Sequence, residues 1–244
     1  MSGFVNTDSR LALYQQLRDQ MASKIAAGEW KPGESIATEQ ELAKTYGMAV
    51  GTVRKAVDLL VAEGLLERFQ GRGTFVRRAT FDGSLFRFFR FQTKSGERKI
   101  PVGRILNREV VQAPDPVATA LQLTKSAKVI CMSRLRVIDE EPMLVEEIWL
   151  PYDKFASFLS VPGEEIGDLL YPEYERHCGQ VIASASETLT VEAVNRSYAR
   201  QLRLAPGTPV VVIERLAYSY DKQPLEWRRS RGPANHFYYH VDIR

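Results

Sequence analysis

At 244 residues the chain has room for one large domain or two modest ones, each able to bury a core. Hydrophobic residues make up 44% and charged residues 26%, near the globular average, which excludes disorder, collagen-like repeats and coiled coil. The net charge of +3 is too small to name a partner, but residues 79–108 carry 7 Lys/Arg against 2 Asp/Glu and residues 109–244 carry 15 against 19, the pattern of a nucleic-acid-facing front with a differently employed back.

From Leu13, the apolar positions Tyr14, Leu17, Met21 and Ile25 recur at three and four, which predicts a helix ending at Gly28. Lys31-Pro32-Gly33-Glu34 is a turn. Thr38-Glu39-Gln40-Glu41 is a capping box that opens a short second helix, stopped at Gly47. A third helix carries Val53, Val57, Leu60 and Val61 on one side, with Thr52, Arg54, Lys55 and Asp58 largely on the other, and ends at Gly64. Leu65 to Phe69, the turn Gln70-Gly71-Arg72-Gly73, and Thr74-Phe75-Val76 read as a hairpin. Helix, short helix, tight turn, helix and basic-tipped hairpin is the order of a winged helix-turn-helix. Its third helix would enter the major groove, where Thr52, Arg54 and Lys55 can reach phosphates and base edges. Arg72, set between two glycines, can approach the backbone or the minor groove closely.

Residues 13–76 also resemble the DNA-binding domain of the GntR transcription regulators. The resemblance is carried by Leu13-Tyr14-Gln15-Gln16-Leu17, Pro32-Gly33-Glu34, Thr38-Glu39-Gln40-Glu41-Leu42-Ala43, Thr52-Val53-Arg54-Lys55-Ala56, Glu63-Gly64-Leu65-Leu66 and Gly71-Arg72-Gly73-Thr74-Phe75-Val76. It implies DNA contacts at Arg54, Thr52 and Gly73, with Gln40, Gly51, Lys55, Gln70 and Arg72 beside them. At two positions where many members have arginine, this chain has Gln40 and Val50.

The segment Leu85-Phe86-Arg87-Phe88-Phe89-Arg90-Phe91 alternates aromatic and basic residues and reads better as packing at the mouth of a pocket than as an exposed stacking surface. Beyond it, extended runs are predicted at 102–111, 128–138, 142–150, 181–189, 210–220, 224–231 and 237–243, and helices at 116–123, 152–158, 166–171 and 191–202. Asp139-Glu140-Glu141 and Asp221-Lys222-Gln223 mark hairpin turns. Antiparallel strands with helices laid on them make the fold class α+β, and no glycine-rich phosphate loop follows a strand. The expected boundaries are 1–78 for the winged domain, 79–96 for a linker and 97–244 for an effector-binding and dimerisation domain. Residues 210–243, strongly β-prone, are the expected dimer-forming edge.

The second half resembles the effector-binding (UTRA) domain of the HutC branch of the GntR regulators, whose fold is similar to chorismate lyase. The residues that carry this are Ser133-Arg134-Leu135-Arg136, Glu141 to Glu147, Pro151, Thr190-Val191-Glu192-Ala193, Gly207-Thr208-Pro209-Val210, and Pro224-Leu225-Glu226 with Ser230-Arg231. Arg134 and Arg136, two apart on a strand, share a face, and Glu146 on the next strand is placed to pair with one of them. A pair of guanidinium groups with one carboxylate leaves donors over, which an anionic ligand would absorb. The resemblance implies that Arg134, Arg136, Glu146 and Glu226 line the effector site. Phe86, Phe88 and Phe89 stand where sugar-phosphate-binding members offer hydroxyl groups, which favours a carboxylate over a sugar phosphate.

The implied protein is a ligand-responsive repressor that binds a palindromic operator in double-stranded DNA as a homodimer. The alternative is an enzyme of chorismate-lyase-like fold acting on an anionic substrate, but no catalytic set assembles from His177, His236, His240 and Cys178. Cys131 and Cys178 lack neighbours at metal-ligand spacing, so neither a metal nor another cofactor is expected. No apolar run approaches the roughly 18 residues of a membrane span, and Met1 to Asp8 lack signal-peptide character, so a cytoplasmic protein is expected.

Overall fold

The computed structural model describes residues 11–78 and 101–237. Backbone contacts divide the chain into two units, Met1–Ala79 with Ser219–Gln223, and Thr80–Tyr218 with Pro224–Arg244.

The first unit is built from α1 (Leu13–Ala26), α2 (Glu39–Tyr46), α3 (Val50–Ala62), β1 (Leu66–Phe69) and β2 (Gly73–Val76). α1 buries Leu17, Met21 and Ile25, each four residues apart, and α3 buries Val53, Ala56, Val57 and Leu60. Both α1 and α2 lie against α3, so these stripes form one small core in which each large side chain contributes about 1.5–3 kcal/mol. The capping box forms as the sequence predicts: Thr38 Oγ1 accepts from the Glu41 N–H, while the Glu41 carboxylate accepts from the Thr38 N–H at 2.8 Å. Gly47 ends α2 at a φ of +64°, a left-handed conformation that costs glycine little. β1 and β2 pair antiparallel from Leu66 opposite Val76 to Phe69 opposite Gly73. The stretch before α2 adds to the outer edge of this wing, through Gly33 N to Val76 O at 2.8 Å and Ile36 N to Thr74 O at 2.9 Å. The unit is a winged helix-turn-helix.

The second unit contains β3 (Val102–Gln112), α4 (Asp115–Ala120), β4 (Lys128–Ile138), β5 (Glu141–Pro151) and α5 (Tyr152–Phe155). It continues with 3-10 turns at Ala156–Ser160 and Gly163–Glu165, then α6 (Leu170–Cys178), β6 (Ser184–Ala193), α7 (Arg196–Gln201), β7 (Pro209–Tyr218) and β8 (Pro224–Pro233). The six strands form one antiparallel sheet in the order β3-β4-β5-β8-β7-β6, two three-stranded meanders joined where β5 pairs β8. α5, the 3-10 turns and α6 cover one face over Ile130, Met132, Ile148 and Leu150, with Phe155, Phe158 and Tyr174 packed on them. α4 and α7 bury Val117, Leu121, Ala199 and Leu202 against the other face. The α+β architecture agrees with the expectation.

Several boundaries differ. The helix expected over 166–171 forms at Leu170–Cys178, because its buried residues Leu170 and Tyr174 stand four apart and Gly179, at φ +65°, stops it. The helix expected over 152–158 breaks into α5 and a 3-10 turn, and that expected over 116–123 runs from Asp115 to Ala120. The strand expected to end at Leu189 extends to Ala193, so the helix expected from Val191 starts only at Arg196, where Asn195 Oδ1 accepts from the Tyr198 N–H at 3.0 Å. Residues 210–233 are not a sheet edge: β7 and β8 are interior strands, and the edges are β3 and β6. Past Phe237, the last expected strand lies outside the described residues.

Candidate DNA-reading face and effector site

On the first unit, Gln40 from α2, Arg54 from α3 and Gly73 from β2 line a single cleft. Gln40 occupies the second position of α2, Gly51 is exposed in the first turn of α3, and Thr52 beside it is half-buried. Arg54 is exposed, with 64% of its side chain open to solvent, and its Nε donates to the Glu39 carboxylate at 2.8 Å. That pairing raises the affinity of the guanidinium for its proton. Lys55 is placed differently from the sequence expectation: its Nζ sits 3.9 Å from the centre of the Tyr14 ring, turned back onto α1. Gln70 and Arg72 form the exposed wing turn, where the Arg72 guanidinium lies 5.5 Å and 5.9 Å from the rings of Phe69 and Phe75. Those two rings meet edge to face at 5.5 Å, which gives the arginine a stiff base.

On the second unit, the sheet register assembles the other candidate residues. Arg134 lies directly opposite Glu146, Glu146 opposite Ser230, and Arg228 opposite Arg215, all on the face beneath α6. Glu146 is fully buried among three guanidinium groups, with Arg228 at 3.2 Å, Arg136 at 3.3 Å and Arg134 at 3.8 Å. Burial pushes its carboxyl up, but Arg228, Arg136 and Arg134 together outweigh this and hold it at about 2. Glu226 accepts from Arg228 at 2.7 Å, from Tyr174 Oη at 2.8 Å and from Tyr171 Oη at 3.1 Å. Burial and the Glu226 charge push Tyr171 up to about 12 and Tyr174 well above the ordinary tyrosine value, so both hydroxyls remain donors. Arg215 extends the network to Glu187 at 2.6 Å.

The remaining donors of the paired arginines meet backbone. Arg134 Nη2 donates to the carbonyls of Gly167 at 3.2 Å and Asp168 at 2.7 Å, and Arg136 Nη1 donates to Pro101 O at 3.1 Å and Asp168 O at 2.7 Å. Asp168 Oδ1 in turn accepts from the Gly103 N–H at 2.7 Å. Among the described residues, Arg134 Nε and Nη1 and Arg136 Nε are buried and make no hydrogen bond, and the same is true of Glu146 Oε2. Within the cluster Arg134, Arg136 and Arg228 share the Glu146 carboxylate, and Arg228 also pairs with Glu226. Burial and the charges of Arg136 and Arg228 lower Arg134 to about 10, partly offset by Glu146. Gly103 is required beneath Arg134: a Cβ there would lie 1.8 Å from Nη2.

The structure thus brings together Arg134, Arg136, Glu146 and Glu226. Phe86, Phe88 and Phe89 fall outside the described residues. Sequence reasoning missed Arg228, Arg215, Tyr171, Tyr174 and Asp168. Only Arg228 was signalled, since Glu226-x-Arg228 repeats the two-residue spacing of Arg134-x-Arg136.

The chain was compared with known proteins. Residues 13–76 match the model of bacterial regulatory proteins of the gntR family, and residues 97–238 match that of the UTRA domain. The chain is 28% identical over 220 residues to the "Probable fructoselysine utilization operon transcriptional repressor" of Escherichia coli, covering 89% of this chain and 88% of that one. It is 27% identical over 241 residues to the HTH-type transcriptional repressor NagR of Bacillus subtilis, covering 98% of each. The crystal structure of PhnF from Mycobacterium smegmatis has the same fold, with a TM-score of 0.53, 20% identity and coverage of 96% and 99%. These matches and the two sites together place the chain among transcription regulators rather than enzymes: it belongs to the GntR family, in the branch that joins the DNA-binding domain to a UTRA effector-binding domain.

Proposed function

We propose that this regulator acts in the cytoplasm as a homodimeric repressor that occupies a palindromic operator and lets go when a small carboxylate-bearing metabolite binds at Arg134 and Arg136. The work is divided at boundaries 1–78, 79–96 and 97–244. The observation that carries the ligand class is a set of buried guanidinium donors: among the described residues Arg134 Nε and Nη1 and Arg136 Nε make no hydrogen bond, and the one carboxylate near them, Glu146, is shared by three arginines. A carboxylate offers two oxygens to such a fork and adds a counter-charge beside it. It would bind the same two guanidinium groups whose other N–H groups, Arg134 Nη2 and Arg136 Nη1, donate to the carbonyls of Gly167 and Asp168, so that turning either group towards the ligand strains those bonds. Those bonds hold Pro101 and, through Asp168, Gly103, the chain just downstream of the linker. Capture of the anion therefore reaches the segment that leads to the DNA-binding unit, with a coupling of about 1–3 kcal/mol typical of such regulators.

For the dimer, the reading moves from residues 210–243 to β6. Among the described residues this edge strand pairs with no strand on its outer side, and it exposes Leu189 and Val191, the latter 64% exposed. No described helix is long and apolar enough to cross a membrane.

The test is a thermal-shift panel of small mono- and dicarboxylic acids beside sugar phosphates, run on the full chain. A ligand at a hundred times its Kd adds about 2.7 kcal/mol to apparent stability. Carboxylates should raise the melting temperature of the wild type, and the rise should vanish in R134A and R136A while both variants still bind operator. A response confined to sugar phosphates would overturn the carboxylate reading. Wild-type ligand affinity in both variants, measured by calorimetry, would move the anion site elsewhere.

A further inference from the structure

We propose that Glu39 is the positioning residue that sets the sequence discrimination of the recognition helix, by fixing which edge of the Arg54 guanidinium faces a base pair. The inference rests on the reading of Arg54 as a base-contacting residue. Glu39 is the first residue of α2, between the two members of the capping box, yet it takes no part in the cap. Its carboxylate is held from two sides instead. Oε2 accepts from Arg54 Nε at 2.8 Å, and Oε1 accepts from Arg68 Nη2 of β1 at 3.0 Å. Arg68 is itself held by Asp58 of α3, through Nη1 to Oδ1 at 2.5 Å. The chain of charges runs Arg54, Glu39, Arg68, Asp58 and ties α2, α3 and the wing. The carboxylate is recessed, 23% exposed, whereas Arg54 is 64% exposed.

A guanidinium can offer a partner either its Nε edge or its terminal edge. With Nε engaged by Glu39, Arg54 presents the terminal Nη1 and Nη2 groups outward, a fork that fits O6 and N7 of guanine in the major groove. Without Glu39, the same side chain would turn freely and settle on phosphates, which strengthens binding to any duplex at the expense of one. Arg68 is affected in the same sense, because both of its Nη groups are occupied by carboxylates and withheld from the phosphate backbone. Ion pairs this exposed add little to folding, so the effect belongs to discrimination. If Glu39 served only as an acidic residue at the helix N-terminus, its removal would change stability alone.

The experiment uses the full-length protein and the duplex that the wild type enriches from a randomised library. Every base pair of that duplex is then substituted in turn, and a scrambled duplex of the same composition is included; binding is read by fluorescence anisotropy across a salt series. Arg54→Ala should erase the preference at one base pair of each half-site. Glu39→Ala should weaken the preference at that same base pair by about tenfold, the size of one bidentate contact. It should also raise affinity for the scrambled duplex and steepen its salt dependence by up to about one phosphate contact. Arg68→Met, which removes the second anchor of the carboxylate and leaves both Glu39 and Arg54 in place, should weaken the same base pair less. If circular dichroism shows that Glu39→Ala does not fold, Arg68→Met decides. An undiminished preference at that base pair in the folded Glu39 variant, or in Arg68→Met where it must decide, overturns the proposal provided Arg54→Ala has lost it. Full operator preference in Arg54→Ala overturns the reading of Arg54 instead.

Discussion

At the scale of single residues, the candidate effector site is a case of charge held in place by neighbours rather than by water. Glu146 stays ionised at full burial because three guanidinium groups surround it, so its carboxyl titrates at about 2 when folded and at about 4.3 when unfolded. A depressed folded value means that its stabilisation is complete above the unfolded value and is lost as pH falls from about 4.3 towards about 2. Stability measured by denaturant titration should therefore drop by about 3 kcal/mol across that window beyond what E146Q shows. E146Q itself should be about 3–5 kcal/mol less stable at pH 7, since it leaves buried arginines without their counter-charge. A window of equal slope in both proteins would show that Glu146 is not the titrating group. Gly103 makes a second residue-scale claim. Alanine there would force the Arg134 guanidinium aside, so G103A should lose the response to carboxylates while keeping operator affinity. The cost in stability should be about 1–3 kcal/mol, the usual range for overpacking. A G103A protein that is released from operator like the wild type would mean that Arg134 has room to move.

At the scale of elements, the wing and α3 present different arginines. α3 delivers Arg54 to the cleft it shares with Gln40 and Gly73, and the two-stranded wing delivers Arg72 on a base of two phenylalanines. If Arg72 meets phosphate or enters the minor groove, R72A should lower affinity for every duplex tested. The slope of log K against log salt should become shallower by somewhat less than one unit. An unchanged slope with unchanged affinity would leave the wing idle. Lys55, which lies over Tyr14, should contribute less to DNA binding than its place on the recognition helix suggests.

At the scale of the whole molecule, the proposed dimer would read a palindrome only if its two recognition helices were held about one helical turn apart. The sheet has two edges, and β6 carries the large exposed apolar side chains Leu189 and Val191 next to uncharged Thr188 and Thr190. Pairing of β6 with its copy would bury these and complete the backbone hydrogen bonds of both. Val191→Glu should thus shift the full-length protein from dimer to monomer in sedimentation velocity at micromolar concentration and weaken operator binding, with the melting temperature of the monomer little changed. A dimer of undiminished affinity in that variant would place the interface elsewhere.

Much of this protein is local and was legible without coordinates. The three-and-four spacing of Leu17, Met21 and Ile25, the Thr38 to Glu41 box and the glycine after α2 each depend on residues within one or two turns, so sequence alone set the winged domain and its exposed Arg54. Arg134 and Arg136 were likewise placed on one face by the two-residue repeat of a strand, and Glu146 opposite them by the short hairpin that joins β4 to β5. What lay beyond reach was the pairing of β5 with β8, which brings Arg228 to Glu146 across 82 residues of chain. The start of α6 was equally hidden, and it decides that Tyr171 and Tyr174, not Ile166, stand over Glu226. Propensity says that such segments are strands or helices, but it does not say which strand lies beside which. Strand order, and with it the convergence of buried arginines on Glu146 and the identity of the edge strands, is fixed only when distant segments compete to bury their apolar faces together.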